Sequence, residues 1–103
     1  MEGHASISPE ILASYAADAA REVAGVTGLA EGNLPLPRRG GVRVLDEDGR
    51  VSLELHLEVA WGASIPDVGR QVQARVRDYL GRMAGLEPAS VDVVVAEIGE
   101  PAR

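Results

Sequence analysis

Val51-Ser52-Leu53-Glu54-Leu55-His56-Leu57-Glu58-Val59-Ala60-Trp61 is the run whose reading decides the fold. Every odd position is bulky and apolar and every even one polar or small, the period of a strand with one dry face and one wet face. A strand buried on a single face belongs to an antiparallel, one-sided layer. Val42-Arg43-Val44-Leu45 supplies its neighbour across Asp46-Glu47-Asp48-Gly49, where Asp48-Gly49 is a favoured two-residue hairpin turn. That turn sets Arg43 opposite Glu54 and Glu47 opposite Arg50. Each opposite-charge pair adds some tenths of a kcal/mol to the register, roughly 0.2–1.

Working outward, Gly62 breaks the strand and Ser64-Ile65-Pro66-Asp67 opens a helix with a Ser-x-x-acid cap. Val68, Val72, Val76, Leu80 and Met83 form its apolar stripe, and Gly85 closes it. Val91 to Ile98 is a β-branched final strand. On the other side, Ser8-Pro9-Glu10 is a helix start with Ile7 as a staple. Ile11, Tyr15, Ala19 and Val23 recur every four residues beside Leu12, Ala16 and Ala20, with Gly25 as the C-cap. Residues 26–41, rich in Gly and Pro, read as one long loop. The order is then αββαβ. The expected fold is α+β, a two-layer sandwich with a three-stranded mixed sheet and two helices on one face.

The 103 residues fit one domain, 1–103, with 1–6 and 99–103 expected to be flexible. Apolar residues at 46% and charged residues at 25% are ordinary for a globular chain. The absence of cysteine excludes disulfides, thiolate metal sites and thiol nucleophiles. A net charge of −6 disfavours attraction to nucleic acid and to anionic lipid. All ten basic residues are arginine, for which no structural reason is evident. The apolar segment Ile11 to Ala24 is interrupted by Asp18, Arg21 and Glu22 and falls short of the roughly 20 residues of a membrane span. Met1 to Ser6 lacks the features of a signal peptide. Direct membrane insertion is not expected, and a cytoplasmic location is.

No catalytic, cofactor-binding or metal-ligating residue emerges. The two histidines, His4 and His56, stand at no metal-ligand spacing. His56 lies between Glu54 and Glu58 on the wet face, where a solvated charge cluster is the plain reading. Ser52, Ser64 and Ser90 lack a nucleophile elbow, and Ser64 is already a helix cap. Gly25-Val26-Thr27-Gly28 matches the Gly-x-x-Gly loop of KH domains, with Arg38-Arg39 nearby, but it carries no charge and joins no two helices. A KH-like nucleic-acid binder is therefore the alternative reading.

Protein contact is the leading one. Arg70, Arg75, Arg77 and Arg82 on the second helix and Glu54 and Glu58 on the wet sheet face suggest a dipolar molecule whose Arg-rich flank docks on an acidic surface, of a partner or of a second copy. Their other role is solubility. The parity of Trp61 assigns it to the core, and its place beside Gly62-Ala63 makes it a candidate anchor.

Three stretches together resemble the bacterial alkaline shock protein family: Ile7-Ser8-Pro9-Glu10 leading to Ala20-Arg21-Glu22-Val23-Ala24-Gly25-Val26, the strand Val51 to Trp61, and Gly62-Ala63-Ser64-Ile65-Pro66-Asp67-Val68 with Val72-Gln73 beyond. The strand-to-helix junction is the most distinctive. The resemblance implies a non-catalytic interaction or scaffold component of the envelope stress response, cytoplasmic or peripheral to the inner face of the membrane, held there in some relatives by a small membrane-embedded anchor. It further implies a possible homo-oligomer, no cofactor, and, in a third reading, regulation of an enzyme of envelope or lipid synthesis by direct contact. The motif residues serve as caps, turns and core, so no active site comes with it. The loop Glu31 to Gly41 is longer and richer in proline than is usual in the family.

Overall fold

A computed structural model describes residues 7–30 and 40–99. The elements are α1 (Pro9–Arg21), β1 (Val26–Leu29), β2 (Val42–Glu47), β3 (Arg50–Val59), α2 (Ile65–Ala84) and β4 (Ser90–Ile98). The order is αβββαβ, so the three-stranded mixed sheet expected above is corrected to four strands.

The decisive run behaves as its alternation dictates. Val51, Leu53, Leu55, Leu57 and Val59 are buried, while Ser52, Glu54, His56 and Glu58 face the open side. β2 pairs antiparallel with β3 in the expected register, Arg43 beside Glu54 and Glu47 beside Arg50. β4 runs parallel along the opposite edge of β3, from Ser52 beside Ser90 to Val59 beside Ile98. α2 is the crossover that a parallel neighbour demands.

The strand missed in the sequence is β1. It is four residues long, contains Gly28, and pairs with a partner about thirty positions away, Leu29 with Leu57 and Val26 with Val59. β1 and β2 share one edge of β3 end to end, and they meet at His56. The His56 carbonyl accepts from the Ala30 N–H at 2.7 Å and its N–H donates to the Gly41 carbonyl at 2.8 Å. Residues 26–41 are thus not one loop: both sides of the segment 31–39, which lies outside the described residues, are fastened to a single residue of β3.

Gly41 makes that junction possible. Its φ is +84°, and a Cβ there would stand 2.9 Å from Leu29 Cβ, 3.0 Å from the Ala30 carbonyl oxygen and 3.1 Å from the His56 carbonyl oxygen. No side chain fits so close to two backbone oxygens.

Both helices cover the dry face, and one apolar cluster joins them to the sheet. Ser8 caps α1 by accepting from the Ile11 N–H at 3.2 Å, and Ile7 packs against the core as a staple would. The helix ends at Arg21 with Glu22 as its C-cap, three residues earlier than the sequence suggests. Gly25 instead forms the turn into β1 at φ +98°, where an added Cβ would lie 2.9 Å from Val68 of α2. The buried stripe of α1 is Leu12, Ala13, Ala16, Ala17, Ala19 and Ala20, continued by buried Val23 beyond the C-cap, and it is rotated from the expected one: Ile11 is exposed and Tyr15 half-buried. Tyr15 meets Tyr79 of α2 edge to face at 5.9 Å, an arrangement worth about 0.5–1.5 kcal/mol beyond area burial. The alanines let α1 sit close to the sheet.

α2 buries Val68, Val72, Val76 and Leu80 as expected, but Met83 is 51% exposed. Gly85 ends it in the left-handed conformation, with Leu86 N–H donating to the Leu80 carbonyl at 3.2 Å. Burial of each leucine on this face contributes about 1.5–3 kcal/mol. Gly99, expected in the flexible end, donates to the Val59 carbonyl at 2.8 Å, whereas residues 1–6 and 100–103 lie outside the described residues.

Candidate functional site

Trp61 is not in the core. β3 stops at Val59, and Trp61 stands in the turn before α2 with 64% of its surface exposed. The parity argument fails there because parity holds only while the strand continues. Gly62, at φ +86°, turns the chain toward the Ser64 cap. Trp61 has bulky neighbours, Ile65 from the first turn of α2 (41% exposed) and Ile98 from the end of β4 (51% exposed). With Val59 and Ala63 they line an apolar cavity of about 220 Å³ at one end of the sheet. Isolated exposed apolar residues are ordinary, but here three bulky ones converge on one hollow and form a contiguous apolar patch. A signal was present in the sequence: apolar residues too bulky for turns beside Gly62 and Gly99.

The arginines of α2 are not gathered on one flank. Arg70 and Arg77 are seven residues apart, as are Arg75 and Arg82, and the two sets differ by five residues, about 140° around a helix. Arg75 reaches Glu22 beyond α1 at 2.7 Å, and Arg77 donates to the Pro88 carbonyl before β4 at 2.9 Å. Arg70 pairs with Asp67, and Arg82 with Asp78 at 3.1 Å. Each already has a partner within the chain, and the exposed pairs among them contribute about 0–1 kcal/mol.

Glu54 and Glu58 do share the open face. Glu54 lies 3.1 Å from His56 Nε2 and 3.9 Å from Arg43, and Glu58 accepts from the Thr27 hydroxyl at 3.1 Å. β4 adds acids beside both: Asp92 is in register with Glu54, and Glu97 with Glu58. Like charges side by side on neighbouring strands destabilise. Neither Asp92 nor Glu97 forms an ion pair among the described residues.

Of the serines, Ser64 is the helix cap that the sequence suggested. Ser64 Oγ accepts from the Asp67 N–H at 3.4 Å, while Ser52 and Ser90 sit side by side on β3 and β4. Gly25-Val26-Thr27-Gly28 runs from a turn into β1 rather than between two helices, and Arg38-Arg39 lie outside the described residues. No group of three or more His, Asp or Glu able to hold a metal ion occurs among the described residues. None of their helices is long and apolar enough to cross a membrane.

Two helices laid over one face of a sheet, with an apolar hollow at its end, define an α+β domain of a kind found in other proteins. A doubly substituted form of MamM-CTD has the same fold with a TM-score of 0.64 at 19% identity, covering 94% of this chain and 93% of that one. The MamM-CTD 215-293 structure gives a TM-score of 0.58 at 13% identity, over 87% and 99%. The family follows from sequence. Residues 1–99 match the model of the alkaline shock protein 23 family, described as having a cell envelope-related function, and the chain belongs to that family. Among its relatives in Bacillus subtilis (strain 168) are uncharacterized protein YloU, 28% identical over 90% of this chain and 86% of that protein, and uncharacterized protein YqhY, 30% identical over 93% and 77%.

Proposed function

We propose that this chain is a non-catalytic interaction module acting in the cell envelope stress response, and that it holds a protein partner at the apolar surface around Trp61. The carrying observation is the 64% exposure of the single tryptophan beside a hollow it shares with Ile65 and Ile98. Tryptophan is among the residues most often dominant in protein interfaces, and a pocket able to receive a partner side chain is where such energy concentrates. Family membership supports the envelope setting. The location that fits is the cytoplasm, at the inner face of the membrane when a membrane-embedded partner recruits the domain. Regulation of an envelope or lipid-synthesis enzyme by direct contact is the same reading with a different partner.

The test is cross-linking in cells under alkaline or envelope stress, comparing the wild type with Trp61→Ala and with Met83→Ala, which removes another exposed apolar side chain, at the far end of α2. Loss of the cross-linked species in Trp61→Ala alone is expected. Identical patterns in all three proteins overturn the proposal.

A further inference from the structure

We infer that the free edge of β4 receives an extended, basic segment of a partner protein by strand addition, with a bulky apolar residue of that segment seated in the hollow beside Trp61. This rests on the reading above and names the partner's chemistry.

Three independent observations converge. The first is the edge itself. Among the described residues β4 pairs with β3 alone, so one side of a nine-residue strand has no backbone partner. Proteins usually blunt such edges with Lys or Pro, with other charges and bulges, or with a covering element. Val91-Asp92-Val93-Val94-Val95-Ala96-Glu97-Ile98 contains neither residue, and its one interruption is a bulge at Ala96, where Val95 pairs with Leu57 and Glu97 with Glu58. Just before β4 the Ala89 N–H donates to the Val51 carbonyl at 2.7 Å. Backbone groups alternate in direction along a strand. His56 turns its N–H and carbonyl to the β1–β2 side, so the odd residues of β3 face β4 and meet the groups of Asp92 and Val94. Val91, Val93 and Val95 present theirs outward, the Val91 carbonyl accepting from Gln73 Nε2 at 3.0 Å.

The second is the hollow, which lies where β4 ends, since Ile98 is both the last residue of the strand and part of the lining. Free backbone groups for affinity next to a pocket for one side chain is the arrangement by which extended peptides are recognised. The third is charge. Asp92 and Glu97 flank Val94 on the open face, each beside a second acid on β3, with no cation pairing either of them among the described residues. A segment with arginine opposite each would relieve both like-charge contacts. A second copy of this chain, with its net charge of −6, would add to them.

The probe follows from the register. Running antiparallel to β4, acetyl-Leu-Arg-Thr-Val-Thr-Arg-amide sets leucine at Ile98, arginines at Glu97 and Asp92, and valine at Val94. Binding is read by anisotropy of the labelled peptide and by emission of Trp61, the sole tryptophan. The expected result is saturable binding with a blue shift of Trp61, weakened about tenfold or more when both arginines are glutamates. Val93→Pro removes an outward N–H, a change an edge strand tolerates, and should abolish binding, while Val93→Ala, which trims the same half-buried side chain but keeps the N–H, should bind like the wild type. Asp92→Lys, a surface change that leaves the backbone alone, should weaken the arginine peptide and strengthen the glutamate one. No binding by the arginine peptide, equal binding of both peptides, or wild-type binding by a folded Val93→Pro or by Asp92→Lys overturns the inference. So does sedimentation showing a dimer that Val93→Pro dissociates, since the edge would then belong to a second copy. Should the peptide fail while cellular cross-links still depend on Trp61 and not on Val93, the interaction reading stands and only strand addition falls.

Discussion

Replacing Gly41 with alanine tests the junction at His56 on which the β1–β3–β2 edge depends. Two costs are expected. The φ of +84° places an L-residue in the left-handed region, which costs about 1–2 kcal/mol. The new Cβ also stands within 3.1 Å of three heavy atoms, two of them backbone oxygens held by the β3 hydrogen bonds, so relief requires moving the chain, and overpacking of this kind costs about 1–3 kcal/mol. Neighbouring Gly40 separates the two terms: its φ is +55° and a Cβ there meets nothing within 4 Å among the described residues. Gly40→Ala should therefore lose about 1–2 kcal/mol and Gly41→Ala about 2–5 kcal/mol. Urea unfolding followed by far-UV circular dichroism measures both. With a slope of roughly 1–3 kcal/mol per molar, the midpoint of Gly41→Ala should fall by about 1 M or more. A Gly41→Ala protein no less stable than Gly40→Ala would refute the claim that close approach of β1 and β2 to His56, rather than backbone conformation alone, demands glycine.

Leu55→Ala, at a fully buried position on the dry face, should destabilise by about 2–5 kcal/mol, whereas Leu45→Ser on the open face should stay within about 0.5 kcal/mol; urea midpoints decide both. A double-mutant cycle on Arg75 and Glu22, the ion pair joining α2 to the end of α1, should give a coupling of about 0.2–1 kcal/mol that shrinks in high salt, because both side chains are near half exposed. Trp61 should be quenched by acrylamide in the native protein nearly as efficiently as in urea; strong native-state protection would contradict its exposed placement.

The sheet's centre was legible because a strand with one dry face writes its own period. Leu53, Leu55 and Leu57 are buried, and the Asp48-Gly49 turn set the β2–β3 register through Arg43–Glu54 and Glu47–Arg50. The caps at Ser8 and Ser64 and the stop at Gly85 are local chemistry and were equally readable. The stripe of α2 carried the same kind of signal, apart from Met83, which lies one turn past the core. The stripe of α1 was ambiguous because alanine marks a face weakly.

Local chemistry reaches a few residues along the chain, and what it could not reach the tertiary structure decided. β1 is too short to have a period of its own and exists because Leu57 to Val59 lie free on an edge that β2 does not fill. Trp61 is exposed because β3 ends two residues earlier and neither helix covers that end, a fact about where three elements stop rather than about any one of them. The arginines of α2 found partners at Glu22 and before β4, which no spacing within the helix contains. Alternation along a chain fixes which side chains turn inward; only the assembled sheet fixes which edges and ends are left uncovered, and it is there that the candidate site lies.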